Sequence, residues 1–333
     1  MILILGSPGF EQGTDPVIDW LIHYQVDFLK LTVEDIVKGD LRIDLQKKEA
    51  FLRDIPLVRS TNIVWYRHFQ SGLSSFKVNV KRFSQQLNDD LRAEVKGTFE
   101  LLAYLLREKT WMPGNLSCIQ PNKLAVLIQA KAAGLLVPQT RITSSREEAI
   151  QFCRSTKHKT LSTKQISDEG RKYYLDGDYA YYTLTKKLAL KDLDQFSDSF
   201  FPSLLQEYIC PDYEIRTFFL GGKTYSTAIV NPKKGAYADR KLINESASTH
   251  FLPYKLPEMM IQGTQRLMES VGLTSGCIDF IRDRNGDYYF LEVNPIGQYL
   301  LESRHCNYYL EKIIAEYLIA QNEQVKKMEV IIN

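Results

Sequence analysis

The segment at 276–295 constrains the fold more than any other part of the chain, because two strand-like runs flank Asn285-Gly286. An Asn-Gly pair between alternating apolar residues is the strongest short-range signal for a β-hairpin. A two-residue turn at this pair places Asp279 directly opposite Glu292, and Asn294 shares their face since side chains alternate along a strand. The opposite face is apolar and fit to pack on a core; it carries Ile278, Phe280, Leu291 and Val293.

Two opposed carboxylates in this pairing repel each other, by roughly 4 kcal/mol at about 4 Å and an effective dielectric of about 20. A bound cation removes that cost. The oxygen ligands of Asp, Glu and Asn suit Mg²⁺, which binds one or two carboxylates together with substrate phosphates. We therefore predict a magnesium site at Asp279, Glu292 and Asn294. Two alternatives remain open: a hairpin whose charges face water, and a bulged turn that shifts the register by one residue and breaks the pairing.

The length and composition indicate a globular protein of several domains. A chain of 333 residues is too long for one ordinary core, so we expect two or three domains. The hydrophobic share of 44% and the charged share of 25% are typical of soluble globular proteins. The net charge of +2 gives no strong field toward nucleic acid or a membrane surface. No apolar run approaches the roughly 20 residues of a membrane span, so we expect no nucleic-acid and no membrane partner.

The cysteines indicate the compartment. Five of them, an odd number without a Cys-x-x-Cys pair, favour reduced thiols over a disulfide framework or a zinc site. The apolar start at 2–5 is predicted to be a buried strand and is too short for a signal peptide. We therefore expect a cytoplasmic protein.

The first part of the chain, 1–115, is predicted to be a small α/β domain. Strands are expected at 1–5, 27–31 and 61–67, and a helix begins at Thr14-Asp15-Pro16 and runs to about residue 24. Apolar residues at helical spacing predict a long amphipathic helix at 83–109. That helix offers a face for a homodimer.

The middle part, 116–200, opens with a helix that Asn122 caps and that carries Lys123 in its first turn. The residues at 144–148 resemble a capping box and predict the start of another helix. A strand at 159–164 has lysines near both of its ends. The polar, tyrosine-rich stretch at 167–185 is predicted to be a mobile loop or a hairpin.

The third part, 201–333, begins with a strand at 203–209. The strand at 213–220 turns at Gly221-Gly222 into another at 223–230. Glu214 and Arg216 share one face of the former. Helices are predicted at 257–271, before the hairpin, and at 307–319, after it.

Five separated sequence elements follow one another in an order that resembles the ATP-grasp ligases over roughly residues 115–325. They are a lysine before or in a strand, Gln206-Glu207-Tyr208-Ile209, Glu214, Arg216, and Asp279 with Glu292-Val293-Asn294-Pro295. The implied fold is α/β (α+β): an N-terminal pre-ATP-grasp α/β domain at 1–115, a central ATP-grasp subdomain at 116–200 and a C-terminal subdomain with the metal site at 201–333.

More narrowly, the chain is similar to the ATP-grasp peptide maturases that make graspetides, of the microviridin and grasp-with-spasm types. That similarity rests on four segments: Thr14-Asp15-Pro16-Val17, Val64-Trp65-Tyr66-Arg67, Leu161-Ser162-Thr163-Lys164 and the residues at 290–298. One departure is Gln165, where many relatives carry proline, which puts the local backbone in doubt but not the charge of Lys164.

The resemblance implies a role for each matched residue. Lys123 and Lys164 would hold ATP phosphates as point charges, with Lys159 as the rival of Lys164. Gln206, Glu207, Tyr208 and Ile209 would line the adenine, and Glu214 would bind the ribose. Arg216 would steady the transferring phosphoryl group, and Arg240 would face either the substrate carboxylate or the acyl phosphate. The plainer alternatives are surface lysines, an ordinary core strand and a structural Glu214–Arg216 pair.

The resemblance also implies the reaction. With ATP and Mg²⁺, the enzyme would activate Asp or Glu side chains of a ribosomally made precursor peptide as acyl phosphates. Attack by Thr or Ser hydroxyls or Lys amines would then form macrocyclic esters or amides. The precursor would consist of a leader, docked on the middle domain or on 167–185, and a core rich in Thr, Lys, Asp and Glu. The rival functions are a ligase that adds glutamate to a peptide or protein C-terminus and a nucleotide-binding scaffold without chemistry. Dimers are usual among the relatives.

Overall fold

The computed structural model describes residues 1–70, 83–166, 173–175, 179–181, 185–231 and 249–332, and three larger sheets organise them. The helices are α1 Asp15–His23, α2 Val33–Val37, α3 Leu57–Ser60, α4 Ser84–Leu105, α5 Leu116–Ile119, α6 Lys123–Ala132, α7 Arg146–Ser155, α8 Leu190–Leu193, α9 Glu258–Val271, α10 Leu300–Cys306 and α11 Leu310–Ile332. The strands are β1 Ile2–Leu5, β2 Phe28–Leu31, β3 Leu41–Asp44, β4 Glu49–Leu52, β5 Ile55–Pro56, β6 Ile63–Tyr66, β7 Thr110–Met112, β8 Thr140–Ser145, β9 Thr160–Lys164, β10 Tyr173–Leu175, β11 Tyr179–Tyr181, β12 Lys186–Ala189, β13 Ser199–Glu207, β14 Pro211–Leu220, β15 Lys223–Val230, β16 His250–Tyr254, β17 Ser275–Asp283 and β18 Tyr288–Asn294.

The N-terminal sheet has the strand order β2-β1-β6-β7, and all its pairs are parallel. Every residue of β1 and β6 is buried, which explains why both strands are continuous apolar runs in the sequence. One face of the sheet packs on α4 through Phe99 and Leu102. The predicted strands and the long helix are confirmed. A small antiparallel sheet, β3-β4-β5, was not predicted and packs against the same core.

The central sheet has the order β12-β9-β13-β8 and is antiparallel. Helix α7 covers one face and forms a separate core with it, in which Phe152 and Cys153 meet Leu161 and Leu205. Strand β13 crosses the predicted boundary between residues 200 and 201, because its backbone pairs with β8 and β9. Strands β10 and β11 pair with each other in antiparallel fashion, as expected for the hairpin that was one of the two alternatives predicted for 167–185.

The C-terminal sheet has the order β16-β15-β14-β17-β18 and is also antiparallel. Helices α6 and α9 pack on one face, so α6 belongs to the core of this sheet although its sequence position lies in the predicted middle part. The other face shares a core with the N-terminal sheet, α1 and α11. Gly221 and Gly222 form the predicted β14–β15 turn with positive φ angles of 53° and 87°.

Two predictions about the C-terminal helices need correction. The last helix is α11, which begins at Leu310 and runs to Ile332, well beyond the predicted end at 319. Helix α10 precedes it and was not predicted; it is short, and a left-handed Asn307 separates the two. Within the described ranges no helix is long and apolar enough to cross a membrane. All five cysteines are free thiols, as predicted.

Candidate functional site

The β17–β18 hairpin turns through a three-residue loop, which corrects the predicted two-residue turn and agrees with the bulged alternative in its one-residue shift of register. Asp283 N–H donates to the carbonyl of Asp287 at 2.9 Å, and Gly286 N–H donates to the carbonyl of Asp283 at 3.1 Å. Gly286 has a φ of 94°, the left-handed conformation that such a loop requires at its last position. Beside the loop, Phe280 therefore pairs with Phe290, and the register differs by one residue from the prediction.

A register shift at Leu291 restores the predicted pairing further along the hairpin. Asp279 lies opposite Glu292, and between this pair and the Phe280–Phe290 pair the register changes by one residue. Leu291 is the extra residue, and it is half-buried instead of joining the core. Its predicted place on the apolar face is taken by Phe290, which is fully buried and packs edge-on against Phe280 with ring centroids 5.9 Å apart.

Glu292 binds two lysines that come from different parts of the fold. Lys123 lies in the first turn of α6, and its Nζ is 3.1 Å from Oε2 of Glu292. Lys164 ends β9, and its Nζ is 3.2 Å from the same oxygen. Burial works against the charged form of Glu292, but the nearby charges of Lys164 and Lys123 outweigh it and lower the pKa of this carboxyl group to about 2.

Arg216 binds the other carboxylate of the pair. Its Nη1 donates to both oxygens of Asp279, at 2.9 and 2.8 Å, and its Nη2 donates to the carbonyl of Gln298 at 2.9 Å. Nε lies 3.7 Å from Glu302. Burial disfavours the charged form of the guanidinium. The electrostatic interactions with Asp279, Cys277 and Glu302 outweigh this effect and raise the pKa of Arg216. The arginine therefore stays charged inside the protein.

The donor set fits a magnesium ion. Both carboxylates face each other across neighbouring strands and are balanced by cations of the protein. Asn294 is exposed at the end of the same strand, where its Oδ1 accepts a hydrogen bond from Ile296 N–H at 3.2 Å. In the described part of the chain no three His, Cys, Asp or Glu side chains form a metal cluster. An all-oxygen set with two carboxylates suits Mg²⁺. In such sites the phosphates of the substrate complete the coordination shell of the ion.

The predicted adenine segment joins the central sheet to the C-terminal sheet. Gln206 is buried, and its Nε2 donates to Oγ1 of Thr140 at 3.0 Å. The N–H groups of Glu207 and Tyr208 donate to the carbonyls of Gln139 and Thr160, at 2.8 and 3.1 Å. Those two N–H groups are therefore already used within the protein and are not available to a base.

The remaining predicted residues fall into three groups. Glu214 lies near Tyr208: burial raises the pKa of that phenol, and the charges of Cys210 and Glu214 add to the rise. Lys159 is exposed in the turn before β9 and has a φ of 47°, whereas Lys164 reaches Glu292. Arg240 lies outside the described residues, as do 167–172, 176–178 and 182–184 of the stretch at 167–185.

One group of buried polar residues was given no role in the sequence analysis. Glu11, Arg67 and Gln298 meet where the N-terminal sheet contacts the segment after β18. Arg67 and Gln298 stand in two of the segments that carry the family resemblance. The sequence carries no signal for the contacts of Glu11 with Arg67 and Gln298, since both partners are distant in the chain.

The arrangement of sheets and charged residues defines the class of the fold. A central antiparallel sheet and a C-terminal antiparallel sheet each contribute a cation to a carboxylate pair, and an N-terminal parallel sheet packs beside them. This is the ATP-grasp fold, which the sequence predicted. No protein-family model matches the chain, and a search of curated proteins gives no match either.

Three solved structures are similar over almost the whole chain. The macrocyclase MdnC bound with the precursor peptide MdnA, from Microcystis aeruginosa MRC, has a TM-score of 0.77 at 22% identity and covers 96% of this chain and 100% of its own. The ATP-grasp ligase PsnB, complexed with a phosphomimetic variant of its minimal precursor, Mg and ADP, has a TM-score of 0.74 at 17% identity over 96% and 98%.

The third similar structure is the RiPP-associated ATP-grasp ligase of Chryseobacterium gregarium, in complex with ADP and a leader and core peptide. Its TM-score is 0.73 at 20% identity, and the match covers 98% of this chain and 96% of that one. At these identities the likeness establishes the fold. The predicted resemblance is thus confirmed at the level of the fold.

Proposed function

We propose that this protein is an ATP-dependent ligase of the graspetide type, which joins side chains of a ribosomally made precursor peptide into macrocyclic esters or amides. The observation that supports it most is the charge arrangement around the hairpin. Asp279 and Glu292 oppose each other across β17 and β18, while Arg216, Lys123 and Lys164 bind them from three other elements. Such a density of charge is costly to bury unless a charged ligand uses it.

The residues divide the binding of MgATP among them. Asp279, Glu292 and Asn294 would hold Mg²⁺. The bound ion neutralises part of the negative charge of the ATP phosphates. Both lysine ammonium groups would move from Glu292 to the phosphates when that carboxylate binds the ion. The adenine would lie against 206–209, and Glu214 would accept hydrogen bonds from the ribose hydroxyls.

The chemistry proceeds in two steps. A carboxylate oxygen of a peptide Asp or Glu attacks the γ-phosphorus of ATP, the bond to the β–γ bridging oxygen breaks, and ADP leaves. Arg216 would stabilise the charge on the transferring phosphoryl group. A Thr or Ser hydroxyl, or a Lys amine, then attacks the acyl phosphate, loses its proton and displaces inorganic phosphate. Because both reacting groups belong to one bound peptide, the second step is effectively unimolecular.

The similar solved structures support a peptide as the substrate. MdnC is bound with a precursor peptide, PsnB is complexed with a minimal precursor, Mg and ADP, and the Chryseobacterium enzyme holds a leader and core peptide. We propose the same partners for this chain, namely ATP, Mg²⁺ and a precursor with a leader and a core rich in Thr, Lys, Asp and Glu. The leader would dock on the central sheet or on 167–185.

The test is to incubate the protein with ATP, Mg²⁺ and a precursor peptide encoded beside it, and to follow the peptide mass. The proposal expects the loss of one water mass per ring, with one phosphate released for each ring. Asp279→Asn should abolish both, because it removes a carboxylate from the predicted metal set. Glu316→Gln is the matched control, since this exposed carboxylate binds Tyr24 away from the hairpin and its loss should change neither quantity.

Other masses would contradict the proposal. A gain of glutamate residues on the peptide would instead identify the enzyme as a glutamate-adding ligase. Unchanged ring formation in Asp279→Asn would remove the carboxylate pair from the mechanism. A folded protein that binds ATP but leaves the peptide and the ATP unchanged would be a nucleotide-binding scaffold.

A further inference from the structure

A buried polar cluster connects the N-terminal sheet to the segment after β18. We define it as the junction cluster: Glu11, Thr14, Arg67 and Gln298. Glu11 Oε2 accepts from Thr14 Oγ1 at 2.6 Å and lies 3.6 Å from Arg67 Nη2, while Glu11 Oε1 accepts from Gln298 Nε2 at 2.7 Å. Arg67 follows directly after β6, at the carboxyl edge of the parallel sheet.

The charges of this cluster are largely withdrawn from water. The side chains of Arg67 and Glu11 are 6% and 12% exposed. Burial works against the charged form of Glu11, but the Arg67 charge and hydrogen bonds from Thr14 and Gln298 outweigh it and lower its pKa to about 2. A buried ion pair contributes little net stability compared with well-packed apolar residues, so stability alone does not explain the cluster.

Gln298 carries the connection onward to Arg216. Its side chain binds Glu11, and its backbone carbonyl accepts from Arg216 Nη2 at 2.9 Å. The preceding Gly297 makes this approach possible, because a Cβ there would lie 2.6 Å from the Cβ of Cys277 and 3.1 Å from Arg216 Nη2. On the other side, the hydroxyl of buried Tyr299 donates to the carbonyl of Gly13 at 2.8 Å. The segment 297–299 is thus held between the N-terminal domain and β14.

We propose that Gln298, fixed by Glu11 of the N-terminal domain while Arg67 pairs with Glu11, is a positioning residue for Arg216. The catalytic consequence rests on the proposed function, in which Arg216 contacts the transferring phosphoryl group. A guanidinium is a planar fork, so its orientation needs two anchors. Asp279 supplies one through Nη1, and the carbonyl of Gln298 supplies the other through Nη2. Glu302 lies 3.7 Å from Nε, beyond hydrogen-bonding distance, and so does not fix the orientation. Without the second anchor the fork can rotate about the first.

The test uses a repelling variant and its compensating partner. Gln298→Glu sets a carboxylate against that of Glu11, and the double variant Glu11→Gln/Gln298→Glu restores the hydrogen bond with donor and acceptor exchanged. Gln298→Met removes the donor without adding charge. We expect kcat to fall about 100-fold in Gln298→Glu, since a displacement of about 1 Å at a reacting group costs that much. The KM for ATP should stay unchanged, and the double variant should recover most of the loss.

A control separates positioning from a general loosening of the domain contact. Tyr24→Phe removes the exposed hydrogen bond to Glu316, which joins α1 to α11 away from the junction cluster, and should leave kcat unchanged. A loss of kcat equal to that of Gln298→Met would assign the effect to the domain contact and overturn the proposal. So would equal losses in Gln298→Glu and the double variant.

A second measurement tests the positioning role of Gln298 without a turnover assay. The hydrogen exchange rate of the Arg216 Nη2–H group, which donates to the Gln298 carbonyl, can be followed by NMR in the protein without nucleotide, with Arg216→Lys to assign the signal. We expect the rate to rise about tenfold in Gln298→Met, the equivalent of one lost hydrogen bond. An unchanged rate overturns the positioning role. If the wild-type protein is inactive but the exchange rate still rises in Gln298→Met, the proposed function is refuted and the anchoring of Arg216 stands.

Discussion

At the scale of single residues, the structure distinguishes two lysines that the sequence could not. Lys159 and Lys164 lie before and at the end of the same strand, and both are plausible phosphate ligands by sequence alone. Lys164 Nζ is 3.2 Å from Glu292, which is 128 positions away in the chain. Lys159 is exposed in a turn. The choice depends on how the central sheet faces the C-terminal sheet, and no local pattern contains that information.

The lysine pair provides a direct prediction. Lys164→Ala should raise the Kd for MgATP about 10- to 100-fold, because a hydrogen bond to a charged group contributes about 1.5–3 kcal/mol. Lys159→Ala is the matched control with the same loss of charge, and its Kd should equal that of the wild type. Titration calorimetry measures both. An equal rise of the Kd for MgATP in the two variants would show that the lysines act only through the overall electrostatic field of the protein.

At the scale of secondary structure elements, the hairpin was predicted at the right place but with the wrong loop. Asp283 explains the difference. Its Oδ1 accepts from Asn285 N–H and Asp287 N–H, both at 2.9 Å, and its Oδ2 accepts from Asn285 Nδ2 at 3.0 Å. An Asp that binds the backbone two residues ahead is a known turn former, so this signal was present in the sequence. No signal in the sequence indicated the compensating register shift at Leu291, because that shift depends on the packing of Phe290.

The extra residue of β18 can be removed without moving Glu292 to the other face. After deletion of Leu291, Glu292 follows Phe290 directly and, because side chains alternate with a period of two, it lies on the face opposite Phe290 and still across from Asp279. We expect ATP turnover to persist in this variant. Leu291→Ala keeps the register, and since Leu291 is half-buried it should lose less than about 2 kcal/mol of unfolding free energy and remain active.

Activity assays and circular dichroism on the two Leu291 variants test the role of the bulge. Loss of turnover after the deletion, with the fold intact, would mean that the bulge itself is needed to place Glu292. Loss of turnover in Leu291→Ala, with the fold intact, would instead assign a direct role to the side chain of Leu291.

At the scale of the whole molecule, sequence order and packing divide the chain differently. The N-terminal sheet was predictable because its strands are short, buried and parallel. The three-part division assigned α6 to the middle part, yet α6 packs on the C-terminal sheet through Val126, Leu127 and Ala130. Strand β13 likewise crosses the predicted boundary. Both contacts join residues far apart in sequence, and hydrophobic periodicity indicates a buried face without indicating what covers it.

The distribution of cores predicts how the molecule unfolds. One core is built from both ends of the chain: Ile2, Ile4 and Trp65 meet Leu310, Ile314 and Leu318. The central sheet has its own core under α7. Parts that share a core should open together, whereas a part with a separate core can open alone. We therefore expect the N-terminal and C-terminal sheets to unfold as one unit and the central sheet to open at a lower free energy.

Two probes can separate these units. The three tryptophans, Trp20, Trp65 and Trp111, all lie in the first 115 residues, so tryptophan fluorescence reports on the N-terminal part alone. Amide hydrogen exchange followed by mass spectrometry reports on each sheet. The opening free energy of β14 and β17 should equal that obtained from the fluorescence transition in guanidinium, and that of β9 and β13 should be smaller. A fluorescence transition that precedes the exchange of β14 would show that the shared core does not couple the two ends of the chain, and that the N-terminal sheet folds as an independent domain.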